Sequence, residues 1–147
     1  MTSSSFEAIL NKKYFIYFPQ ATSQQIESAS KQLEELNIPK IPEDYENFLK
    51  NSNGLSYNGL ELFGTEDYPR EEKKYIFPSL LSSNRDFINY EFFIQKLIIG
   101  ITSENFIIYD NITKNYALTD AISLHIIEEY HSFNELIKFL LKQYYED

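Results

Sequence analysis

The segment Ile41–Gly64, IPEDYENFLKNSNGLSYNGLELFG, has to start a helix, stop it and fold back on itself within twenty-four residues. Pro42 suits the first turn of a helix, where its missing N–H costs nothing. Glu43 and Asp44 follow it, and acidic groups favour the positive end of the helix dipole. Tyr45, Phe48 and Leu49 recur at i, i+3 and i+4, one apolar face. Asn53–Gly54 supplies a left-handed stop. Asn58–Gly59 lies between Leu55-Ser56-Tyr57 and Leu60-Glu61-Leu62-Phe63, and a two-residue hairpin turn needs positive φ at both central positions. The spacing predicts a helix over 42–52 and a hairpin tip at Asn58–Gly59.

The same logic runs along the rest of the chain. Ser4-Ser5-Phe6-Glu7 can cap a short helix that ends near Asn11. Tyr14 to Phe18 is apolar throughout, and burial is the usual outcome for such a run. Thr22 and Gln25 have capping-box spacing, and Ile26, Ala29, Leu33 and Leu36 form one stripe behind them. A helix over 22–36 follows, ended by Asn37 and Pro39. Thr65–Lys74, TEDYPREEKK, reads as an exposed loop, and Ser79–Phe93 as helical. Leu97–Ile101 and Phe106–Tyr109 are apolar runs suited to adjacent buried strands. Tyr116–Thr119 and Ser123–Tyr130 continue them, and the short connections favour an antiparallel meander. Ser132 and Glu135 make a further capping box, with Phe133, Leu136, Ile137, Leu140, Leu141 and Tyr144 on one face of a closing helix. The expected fold is an α+β single domain over 1–147: N-terminal helices, a central mainly antiparallel sheet, and a C-terminal helix packed on that sheet.

With 147 residues the chain can build a core without staples, and it has no cysteine, so disulfides and thiolate metal sites are excluded. The net charge is −9, and five of those nine charges fall in residues 81–147. This balance disfavours direct nucleic-acid binding, which needs a basic surface. It fits a basic protein partner, and it also fits plain solubility. The start, MTSSSFEAILNKKYF, lacks a basic stretch followed by a long apolar run, and no apolar run approaches the ~20 residues of a membrane span. The expectation is a cytoplasmic protein with no membrane contact.

Catalytic chemistry finds little to stand on. There is no G-x-S-x-G elbow, no GxGxxG and no Walker loop, and the glycines number only four. Glu128 and His131 have E-x-x-H spacing, but a carboxylate-bridged site needs two such motifs on facing helices. No catalytic residue, cofactor or metal is therefore expected. Carboxylate pairs recur at Glu34/Glu35, Glu43/Asp44, Glu66/Asp67, Glu71/Glu72 and Glu128/Glu129, and most such pairs are solvated faces. An enzyme would need two carboxyls facing each other across a cleft. For partner binding the candidates are Glu66, Asp67, Tyr68, Glu71 and Glu72 in the charged loop, and Glu128 and Glu129 at a strand end. Loops on rigid scaffolds often carry recognition.

The order IP-x-DY-x-x-FL-x-x-x-NG…G-x-x-LFG over Ile41–Gly64 resembles the SUKH superfamily, the Smi/Knr-type cell-wall-assembly regulators and their YrhA-like bacterial relatives. Softer matches are LIIG at Leu97–Gly100, IIYD at Ile107–Asp110 and SFNELIKFLL at Ser132–Leu141, so the resemblance spans about residues 22–144. Members often carry a tryptophan in or near the sheet, and this chain has none. The resemblance implies a non-catalytic protein-binding domain. Many bacterial members look like immunity proteins that neutralise polymorphic toxins, several of them nucleases with basic surfaces. The eukaryotic branch implies instead a regulatory scaffold with no toxin partner, and an enzyme with an unrecognised carboxylate site is the alternative from another class.

Overall fold

The computed structural model describes residues 16–70 and 75–145. The expected helix at Ser4–Asn11, together with Tyr14, Phe15, Glu71 and Glu72, lies outside the described residues. Helix α1 is Ser23–Glu35. Its capping box is made in both directions: Gln25 N–H donates to Thr22 Oγ1 at 3.0 Å, and Thr22 N–H donates to Gln25 Oε1 at 2.9 Å. Ile26, Ala29 and Leu33 are its buried stripe. Asn37 takes φ 62 and, with Pro39 behind it, turns the chain into helix α2, Glu43–Leu49. This helix is shorter than the expected 42–52, and Pro42 is its extended cap, not a residue of its first turn.

Among the described residues seven strands make one antiparallel sheet in the order β1 (Ile16–Tyr17), β2 (Leu55–Tyr57), β3 (Leu60–Leu62), β6 (Lys96–Ile101), β7 (Asn105–Asp110), β8 (Asn115–Asp120) and β9 (Ile126–Tyr130). The β2–β3 tip has φ 49 at Asn58 and φ 91 at Gly59, as the Asn–Gly pair demands. The expected loop after β3 is partly wrong. Tyr68–Arg70 (β4) pairs antiparallel with Tyr75–Phe77 (β5) in a separate small hairpin. Ser79–Phe93 is also not one helix. It holds a short helix α3, Leu80–Arg85, then turns and a single 3-10 turn at Glu91–Phe93.

Both faces of β6–β8 are covered, which is why Leu97–Gly100, Ile107–Tyr109 and Tyr116–Thr119 are buried without alternation. Tyr116 and Tyr109 are register partners, and the Tyr116 ring lies 5.8 Å from that of Phe133 at the start of helix α4, Phe133–Tyr145. Helix α2 joins this face: Tyr45 meets Phe133 edge-on at 5.0 Å. Phe106 points the other way, into a cluster with Phe87 and Phe93 at 5.5 and 5.4 Å.

Where β3 leaves β6, a side chain takes over the ladder. Asn84 accepts from Ile98 N–H at 2.8 Å and donates to Ile98 O at 2.9 Å. Buried backbone groups need partners, so an asparagine on α3 stands in for a strand at the β6 bulge between Ile98 and Gly100.

The Asn53–Gly54 pair serves a different purpose from the expected helix stop. The helix ends at Leu49, and Gly54 adopts φ 126 where a Cβ would meet Leu62 O at 3.1 Å and Phe18 at 3.2 Å. Gly64 packs more closely still, since a Cβ there would lie 2.1 Å from Asn53 O. The Asn53 side chain then ties the crossing, accepting from Thr65 N–H at 2.8 Å and donating to Thr65 Oγ1 at 2.7 Å.

Candidate partner-binding surface

The acidic candidates separate once placed in space. Asp67 is committed to the fold: its Oδ1 accepts from Ser79 N–H at 2.7 Å and from Ser82 Oγ at 2.9 Å, holding the start of α3. Tyr68 is also built in. Its ring stacks on Phe18 at 4.7 Å, and its hydroxyl accepts from Asn53 Nδ2 at 3.2 Å. Burial pushes its pKa above the ordinary tyrosine value. Glu66 is exposed and takes a hydrogen bond from Thr65 Oγ1 at 3.3 Å. Of the first group, Glu66 alone is a described carboxylate without a structural task. It follows β3, which stands four strands away from β9 in the sheet.

Glu128 and Glu129 sit on β9, an outer strand of the sheet, and both are exposed. Among the described residues no strand pairs with the outer side of β9. No cation among the described residues lies within ion-pair reach of either carboxylate. The register places Glu128 opposite Leu118 and Glu129 opposite Ala117, so the two project to opposite faces. The bulge at Leu118/Thr119 leaves Ile127 as an extra residue of β9.

Apolar groups surround this edge. Ile126 is 39% exposed, Ile127 55%, Phe139 of α4 38%, and Ile122 in the preceding turn 94%. A hollow of about 290 Å³ opens beside them, with Leu118, Ile127, Phe139 and Leu140 in its wall and Glu104 and Asn105 at its polar end. The Tyr130 ring lies 5.7 Å from Phe139, and among the described residues its buried hydroxyl has no hydrogen-bond partner. Burial, with the Glu128 charge in second place, pushes the Tyr130 phenol up to about 12. The turn that presents the edge is held by Asp120, whose Oδ2 accepts from Ile122 N–H at 3.0 Å and Ser123 N–H at 2.7 Å. Those bonds lower its carboxyl pKa.

Sequence reasoning named Glu128 and Glu129 but missed the isoleucines and Phe139. A signal existed, because Phe139 falls off the apolar stripe of α4. His125 and His131 are both exposed, and Glu128 is on a strand, so the E-x-x-H spacing does not bring the pair onto a helix face. Among the described residues no cluster of three or more histidines and carboxylates is placed to hold a metal ion. No helix among them is long and apolar enough to cross a membrane.

Among the described residues these elements define an antiparallel α+β domain with an acidic, partly apolar sheet edge at β9 that no strand covers. No protein-family model matches the chain, and no curated protein matches it.

Proposed function

We propose that this chain is a non-catalytic protein-binding domain of the SUKH type that neutralises a basic toxin domain in the cytoplasm. One observation carries the reading: β9 combines unpaired carboxylates with exposed isoleucines on a rigid strand. Interfaces bury apolar anchors at their centre and keep charge at the rim. The charge of −9 would steer a basic partner, such as a nuclease domain, toward this protein. The order of elements agrees with what the resemblance implies, and the motif residues Asp44, Tyr45, Asn53, Gly54 and Gly64 all have structural tasks.

The test is to mix the protein with the product of its neighbouring gene, measuring complex formation and rescue of growth when the two are co-expressed. A stable complex that restores growth is expected. No complex and no rescue would sink the reading.

A further inference from the structure

We propose that β9 binds its partner by strand addition, taking an extended segment with two adjacent basic residues flanked by β-branched apolar ones. The inference rests on the protein-binding reading above and adds where and how the partner docks. An edge strand presents a row of unpaired N–H and C=O groups, a template for another strand. Proteins usually blunt such edges. β9 keeps five residues, and its bulge at Ile127 and its two glutamates narrow what can pair there to a strand of opposite charge.

Charge decides what can pair here. Two copies of β9 aligned antiparallel about Glu128, or about the Glu128–Glu129 bond, would each set glutamate against glutamate. Like charges directly opposite are destabilising. The edge therefore selects against a second copy of itself and for a cationic strand. Glu128 and Glu129 point to opposite faces, so each needs its own partner. Consecutive residues of an added strand also alternate faces, which calls for two adjacent cations. Ile126 and Ile127, exposed and next in line, call for apolar residues beside them. The hollow between Ile127 and Phe139 offers a seat for one of those side chains.

The probe is an end-capped peptide, Thr-Lys-Lys-Val-Val-Thr, titrated into the full chain. Two further copies carry N-methyl groups at alternate residues, one copy for each edge of the peptide. Strand pairing predicts that the parent peptide binds, that one methylated copy loses at least tenfold in affinity, and that the other keeps it. Amides 126–130 should gain exchange protection with the parent peptide. The exposed double change Glu128→Lys with Glu129→Lys should cost at least tenfold and flatten the salt response, with thermal unfolding unchanged.

Equal binding by all three peptides, or none by the parent, would overturn strand addition. So would light scattering that finds a dimer abolished by the same double change, since the occupant would then be a second copy. If the neighbouring gene product binds wild type and the double variant equally, the edge is excluded while the protein-binding reading survives.

Discussion

Tyr116 on β8 donates its hydroxyl to Asp44 in the first turn of α2, across seventy-two residues of chain. The other oxygen of Asp44 accepts from Phe133 N–H at 2.8 Å, so one carboxylate joins a helix, a strand and the start of the closing helix. The next residue repeats the pattern: Tyr45 donates its hydroxyl to Phe63 O at 2.6 Å. The Asp–Tyr pair of the sequence motif is a clamp.

Removing the clamp should be costly. Asp44→Ala deprives α4 of a cap and leaves the buried Tyr116 hydroxyl unpaired, for about 2–4 kcal/mol in denaturant unfolding. A double-mutant cycle with Tyr116→Phe should give a coupling of about 1.5–3 kcal/mol, as for hydrogen bonds to charged groups. Additive effects would mean that the two residues act independently.

Gly64→Ala should destabilise by about 3 kcal/mol, the upper range for forced overpacking, because the new Cβ meets a backbone carbonyl that cannot retreat. Gly59→Ala should cost only about 1 kcal/mol, the penalty for a left-handed residue, because its nearest neighbour is Ser103 at 3.8 Å. Equal losses in urea midpoints would contradict the crossing at Asn53.

The first acidic cluster should divide. Asp67→Ala is expected to lower stability by about 1 kcal/mol through the lost bonds to α3. Glu66→Ala should stay within about 0.5 kcal/mol of wild type, as exposed substitutions do. Circular-dichroism melts of the two variants decide it, and a neutral Asp67→Ala would return that residue to the candidate binding face.

Alkali should unfold the protein through its tyrosines. Burial raises the pKa of Tyr45 and of Tyr116, with Asp44 adding to the effect at Tyr116. A raised folded-state value gives stability that is complete below the unfolded pKa of about 10 and lost as pH climbs past it. Above that pH the unfolded chain sheds protons that the folded chain keeps. Absorbance at 295 nm should show a late tyrosine class that ionises only together with loss of ellipticity. Smooth titration of every tyrosine near pH 10, with the fold intact, would be the contrary result.

Much of the architecture was legible because its signals are local. The Thr22–Gln25 box, the Asn58–Gly59 turn, the apolar runs of β6 and β7 and the stripe of α4 each depend on a few neighbouring residues. The misses depend on distant partners. Strands β4 and β5 are three residues each in a charged stretch, and what anchors them is distant in sequence: Tyr68 and Phe77, register partners, both stack on Phe18. Asp67 looked like free charge because its hydrogen-bond donors lie 12 and 15 residues on, at Ser79 and Ser82. The IIEEY run showed a strand, but nothing in those letters says that the strand is last in its sheet.

Strands β6 to β9 pair with one another in sequence order, whereas β3 reaches β6 across residues 63–95 through two register pairs, Glu61 with Ile101 and Leu62 with Gly100. Closing a long loop delays contact formation, so the meander is expected to assemble first and the N-terminal hairpin to dock afterwards. Pulse-labelled exchange would show it as protection of amides 97–120 before 55–62, and simultaneous protection would refute it. The docking seam closes over bare backbone at Gly100, where a Cβ would lie 2.3 Å from Glu61 O. On that order of events, one glycine sets the gate through which the two halves would become a single cooperative unit.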